Sequence, residues 1–291
     1  MKIILFLFTV CCSLLLSCAE PAAEAQTVFE YLLFEIEQDA VLSTEERLEK
    51  IKEFKLRIGS LPKNEASWLT RLLLQETRSR ITDILKHASL EEAEIETHLA
   101  EYEQTTQNVH FMTPELARQR LFFVADLKIH RQYVYEFGIA LGCEERQLLR
   151  HDLCKLSAKH FEGGWEDEER LTYLAARGEH QNEEAYHDSF GLNCDDFDSF
   201  SEESLRTTAL ESVADWLAVT KQRGGSTISC SLISNFTKNN PHPRLIPFLK
   251  EALIKAHVHY LDSKQNPDTA NIFANLPCWS KEVEEFFESL K

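Results

Sequence analysis

Few residues in this chain can interrupt a helix. Its 291 residues include only 9 Gly and 8 Pro, and the long stretches between them are rich in Glu, Leu, Ala and Lys. Strong helix formers with so few breakers predict a mostly helical, all-α protein. Hydrophobic residues make up 43% of the chain, enough for a sizeable core. The length suits one large or two modest domains. A net charge of -17 argues against a nucleic-acid phosphate backbone as partner. It leaves room for a small phosphorylated substrate, because a bound metal can supply local positive charge.

The N-terminus reads as a targeting segment. Met1-Lys2 is followed by an apolar run from Ile3 to Leu16 and then by small or polar residues. That is the layout of a signal peptide covering 1–25, with Ala23-Glu24-Ala25 as a cleavage sequence. Leu15-Leu16-Ser17-Cys18 resembles a bacterial lipobox, which would end the signal at residue 17 and make Cys18 a lipid anchor. Both readings predict entry into a secretory pathway and an extracellular or periplasmic location. Five cysteines lie beyond this segment: Cys143, Cys154, Cys194, Cys230 and Cys278. Their wide spacing, with no CxxC pair, indicates neither a zinc ribbon nor a compact disulfide scaffold.

The pattern from residue 27 to about 110 predicts three or four helices. Ser43-Thr44-Glu45-Glu46 has the form of a capping box, and Gly59 and Pro62 stop the helix that follows. Thr113-Pro114 starts a long helix that can run to Leu141, with Gly142 as its stop. His130 falls in the middle of that helix's apolar face, between Leu127 and Val134. A short helix from Cys143 or Glu144 should carry His151 and Asp152 near its end. A helix from Ser204 to Lys221 places Asp215 among apolar neighbours, where a carboxylate is costly unless paired or bound to metal. A further helix is expected from about Arg244 to Leu261, and a short one near Lys281–Leu290. The chain thus divides into a signal at 1–25, a helical N-terminal region at 26–112, a central domain at 113–225 and a C-terminal helical extension at 226–291.

Most of the candidate chemistry lies in the central domain. Arg150-His151-Asp152-Leu153-Cys154-Lys155 joins two metal-ligating residue types, with Lys155 three residues after the Asp. His180 and His187 are seven residues apart and would share one face of a helix. A second doublet, His187-Asp188, shows that the pair alone is a weak signal.

In order, His130, His151-Asp152, His180, His187 and Asp215 resemble the ligand pattern of the HD superfamily of metal-dependent phosphohydrolases. The closest resemblance is to an uncharacterised HD-related family with H-D-x-S-K and D-W motifs. Here these read His151-Asp152-Leu153-Cys154-Lys155-Leu156-Ser157 and Asp215-Trp216. Cys154 stands where that family has Ser, and the segment of His180-Gln181-Asn182 and His187 lacks a paired His. The resemblance covers roughly residues 120–225 and implies an HD-like helical bundle with an N-terminal helical extension. It also implies one or two divalent ions (Fe, Mn or Zn). Asp152 would bridge two ions, with His130, His151 and Asp215 completing one site and His180 and His187 serving the other. Asp152 and Lys155 would be the catalytic residues, and Lys155 and Arg150 would meet the substrate phosphate. Hydrolysis of a phosphoester or nucleotide is the first expectation. Oxygen activation at a di-iron centre and metal binding without catalysis are the alternatives.

Overall fold

A computed structural model describes residues 23–38, 44–107, 112–157, 160–161, 195–223 and 241–266, with short pieces at 232–233, 235–236, 271–276, 285–286 and 288–289. Eight α-helices and no strand occur among them, as the composition predicts. They are α1 (Ala23–Gln38), α2 (Thr44–Gly59), α3 (Lys63–His87), α4 (Glu92–Gln107), α5 (Pro114–Leu141), α6 (Glu145–Arg150), α7 (Glu202–Arg223) and α8 (Ile246–Gln265). Short 3₁₀ turns occupy Leu153–Leu156, Asp195–Asp198 and Ile272–Asn275. No described helix is long and apolar enough to cross a membrane. Residues 1–22 of the expected signal, with Cys18, and most of the expected terminal helix lie outside the described residues; Ala23-Glu24-Ala25, expected as a cleavage sequence, opens α1, with Ala25 buried.

The central helix α5 has both predicted ends. The Thr113 hydroxyl accepts from the Leu116 amide at 3.2 Å, and Pro114 opens the first turn. Gly142 closes the helix at φ 82°, a left-handed conformation that favours glycine. The Lys255 ammonium on α8 donates to the Leu141 carbonyl at 2.6 Å, satisfying a helix-end acceptor.

Three apolar clusters form around α5. Its first turns pack with Val28, Leu32, Phe54, Leu69 and Leu73 from α1–α3. Val124 and Leu127 join Ile81, Leu85, Leu99, Tyr102, Leu156 and Phe161. Val134, Phe137 and Leu141 join Leu148, Val213, Leu217, Leu249 and Leu253 in the third. Buried Arg118 ties α2 to α5: its guanidinium lies 5.4 Å from the Phe54 ring and pairs with Glu115 at 2.9 Å. Helix α5 therefore contributes residues to all three clusters. His130 sits on α5 between Leu127 of one cluster and Val134 of another.

Helix α6 is set close to α5 by Gly138. A Cβ there would overlap the Leu148 side chain, with Cδ1 only 2.7 Å away. Leu148 is buried, so it has little room to yield. Overpacking of this kind costs about 1–3 kcal/mol, while Ala for Gly regains about 1 kcal/mol of helix propensity. Gly138→Ala is therefore expected to lower stability in urea denaturation. An unchanged midpoint would show that α6 can shift outward freely.

Candidate metal centre

The site is assembled from α5, the turn after α6, and α7. Helix α6 ends at Arg150, one residue before the doublet it was expected to carry. The early stop has a geometric reason. Successive residues of an α-helix point about 100° apart, so a helical His151-Asp152 pair would not converge. In the turn, Asp152 takes φ 61° and ψ 15°, the left-handed region that Asp tolerates better than most residues. His151 and Asp152 then reach the same point. The following 3₁₀ turn brings the Lys155 ammonium to 2.6 Å from Asp152 Oδ2.

Four side chains meet at this point. His130 Nε2 lies 2.9 Å from Asp215 Oδ1 and 3.4 Å from Asp152 Oδ2. His151 Nε2 lies 3.6 Å from Asp152 Oδ2, 3.7 Å from Asp215 Oδ1 and 3.4 Å from His130 Nε2. All four residues are buried. The group of His130, His151 and Asp152 could hold a metal ion, and Asp215 lies beside it, paired with His130. A tetrahedron with bonds of about 2.0–2.1 Å, as for Zn²⁺, has edges of about 3.3–3.4 Å. The three distances within the group, 3.4, 3.4 and 3.6 Å, are close to that value.

Charge supports the same fit. Behind His151, the Glu211 carboxylate faces Nδ1 at 3.0 Å, and its other oxygen accepts from Gln147 Nε2. Three buried carboxylates, Asp152, Glu211 and Asp215, surround the two histidines, and one ammonium, Lys155, pairs with Asp152. With neutral imidazoles the excess is two negative charges, which one divalent cation would cancel. Without it, protons take up part of the excess. Burial opposes protonation of His151, but the Asp152 charge and the hydrogen bonds to Asp215 and Glu211 outweigh it and lift its pKa to about 10. Burial alone would raise the Asp215 pKa, yet the hydrogen bonds from His130 and His151 hold it well below the usual carboxylate range. Burial also opposes the Lys155 charge, and Asp152 overcomes this and keeps the lysine protonated above its usual range.

A pH dependence follows from the His151 shift. Below a pKa of about 10 the imidazole carries a proton that a cation must displace. Zinc added to the metal-free protein at neutral pH is expected to release a proton, and apparent affinity should rise with pH towards that value. Titration calorimetry in buffers of different ionisation enthalpy checks this. Buffer-independent heats would refute it.

The structure brings His130, His151, Asp152, Asp215 and Lys155 together. His180 and His187, with the acidic residues Glu179, Glu183 and Glu184 beside them, lie outside the described residues. Arg150 does not join the cluster: its guanidinium is exposed and lies 3.9 Å from Glu94 on α4. Glu211 and Gln147 were missed in the sequence. Glu211 stands between Leu210 and Ser212 on α7, one helical turn before Asp215.

Searches against protein-family models, curated proteins and solved structures each returned no match for this chain.

Proposed function

We propose that this chain is a metal-dependent hydrolase of a small phosphoester or nucleotide-type substrate, with His130, His151, Asp152 and Asp215 holding the ion. The observation that carries the reading is the convergence of His130, His151 and Asp152 at 3.4 to 3.6 Å, with Asp215 at 2.9 Å from His130 and a lysine beside them. The charge balance accounts for one ion. A second would need donors outside the described residues, where His180 and His187 lie.

When bound, the ion would supply Lewis acidity and a nucleophile at neutral pH. The chain's own residues do the rest. Glu211 turns the His151 ring so that Nε2 faces the centre. Asp152 and Asp215 fix the ion's position. Lys155, whose side chain is 22% exposed, is the most accessible charge of the cluster. Its ammonium is placed to neutralise a phosphate oxygen.

A structural metal site without turnover is the second reading. It is favoured by the low exposure of the candidate ligand side chains, 10% or less. One experiment separates the two. The protein is purified without chelator or affinity metal, beside His151→Ala, and assayed for metal content and for hydrolysis of a phosphoester panel under air and under nitrogen. A hydrolase releases phosphate in both atmospheres, and loses this on chelation and in the variant. Metal without turnover establishes the structural reading. Oxygen consumption without phosphate release points to oxidation, and absence of metal defeats all three.

A further inference from the structure

Glu211 is a buried carboxylate that makes no direct approach to the centre of the cluster, so its position calls for a reason. Both of its oxygens are engaged from the same neighbouring segment. Oε1 faces His151 Nδ1 at 3.0 Å, and Oε2 accepts from Gln147 Nε2. Gln147 and His151 are one helical turn apart, and so are Glu211 and Asp215. One turn of α7 therefore supplies a ligand through Asp215 and grips the segment that carries His151 through Glu211.

With a carboxylate at Nδ1, His151 keeps a hydrogen there and presents Nε2 to the cluster. That nitrogen faces His130 Nε2, Asp152 Oδ2 and Asp215 Oδ1. A ring rotated by half a turn would lose the Glu211 bond and turn carbon toward the centre. Carboxylates behind a ligating imidazole fix its tautomer and orientation and make it a better donor. Gln147 in turn holds Glu211, while its own buried Oε1 has no partner among the described residues.

We infer that Glu211 is the positioning residue of the metal centre: held by Gln147, it orients His151 and sets the affinity for the cation without touching it. The inference rests on the proposed metal site. Its test is the dissociation constant for Co²⁺ and Zn²⁺, measured by chelator competition on the full chain and on Glu211→Gln, with circular dichroism of the metal-free proteins alongside. Glutamine keeps the size and an accepting oxygen but removes the charge. The variant is expected to remain helical and to bind about 10–100-fold more weakly, with a shifted visible spectrum of the bound Co²⁺. A merely structural Glu211 would lower the melting temperature and leave the dissociation constant and the spectrum unchanged, which overturns the assignment. Should Glu211→Gln not fold, Gln147→Met probes the same relay one link back. There a loss of about threefold or more supports the role and an unchanged constant overturns it. If the wild-type chain binds neither metal, the metal reading fails and takes this assignment with it. Wild-type binding with unchanged variants sinks the Glu211 role alone.

Discussion

Asp152→Asn is expected to weaken divalent-metal binding by on the order of 100-fold or more while leaving the helices formed. A ligand is lost, and the loss should exceed that for a group one shell further out. Asparagine is the informative replacement because it tolerates the left-handed backbone at φ 61°. Alanine at the same position would add about 1–2 kcal/mol of backbone strain and would leave the Lys155 ammonium facing a gap where its 2.6 Å partner had been. Asp152→Ala should therefore melt at a lower temperature than Asp152→Asn, with metal binding lost in both. Chelator competition and thermal denaturation on the two variants measure the effects separately. Metal binding that survives in Asp152→Asn would remove Asp152 from the ligand set.

Lys155→Met should move two quantities in opposite directions. The ammonium competes with a cation for Asp152 Oδ2, which lies 2.6 Å away. Like charges a few ångströms apart repel by several kcal/mol at an effective dielectric constant of about 20, and relief of only about 1.4 kcal/mol is tenfold in affinity. Metal is expected to bind the variant about tenfold more tightly. On the proposed hydrolase reading, phosphoester turnover should fall by about 10²–10³-fold, the usual cost of removing one group that stabilises charge in the transition state. Tighter metal with unchanged turnover would restrict Lys155 to pairing with Asp152. Weaker metal would show that the lysine supports the site and does not oppose the ion.

Local sequence signals specified the framework well. The Thr113 cap, Pro114, and the Gly142 stop are single-residue effects of hydrogen bonding and backbone freedom, and each appears at its expected position. His130 and Asp215 stood out because a polar group on an apolar helix face needs a partner, and each turned out to be the other's partner at 2.9 Å. The end of α6 was harder to read. No breaker lies between Arg150 and Lys155, so nothing local forces the chain out of a helix before His151. The long-range contacts at this turn include those of His130 with Asp152 and of Glu211 with His151, which come from other helices. Glu211 was also hidden, because one acid among many on a chain this acidic gains meaning only when His151 lies against it.

The left-handed turn at Asp152 also bears on how the site can vary. Two of its four donors are adjacent residues, so their relative placement depends on a single backbone conformation. A one-residue insertion or deletion in this turn would rotate both away together. His130 and Asp215, each embedded in a long helix, are buffered against length changes in the loops that precede them. A change of register at the doublet would therefore displace two candidate donors at once, whereas one in a loop before α5 or α7 would displace neither His130 nor Asp215 from its helix.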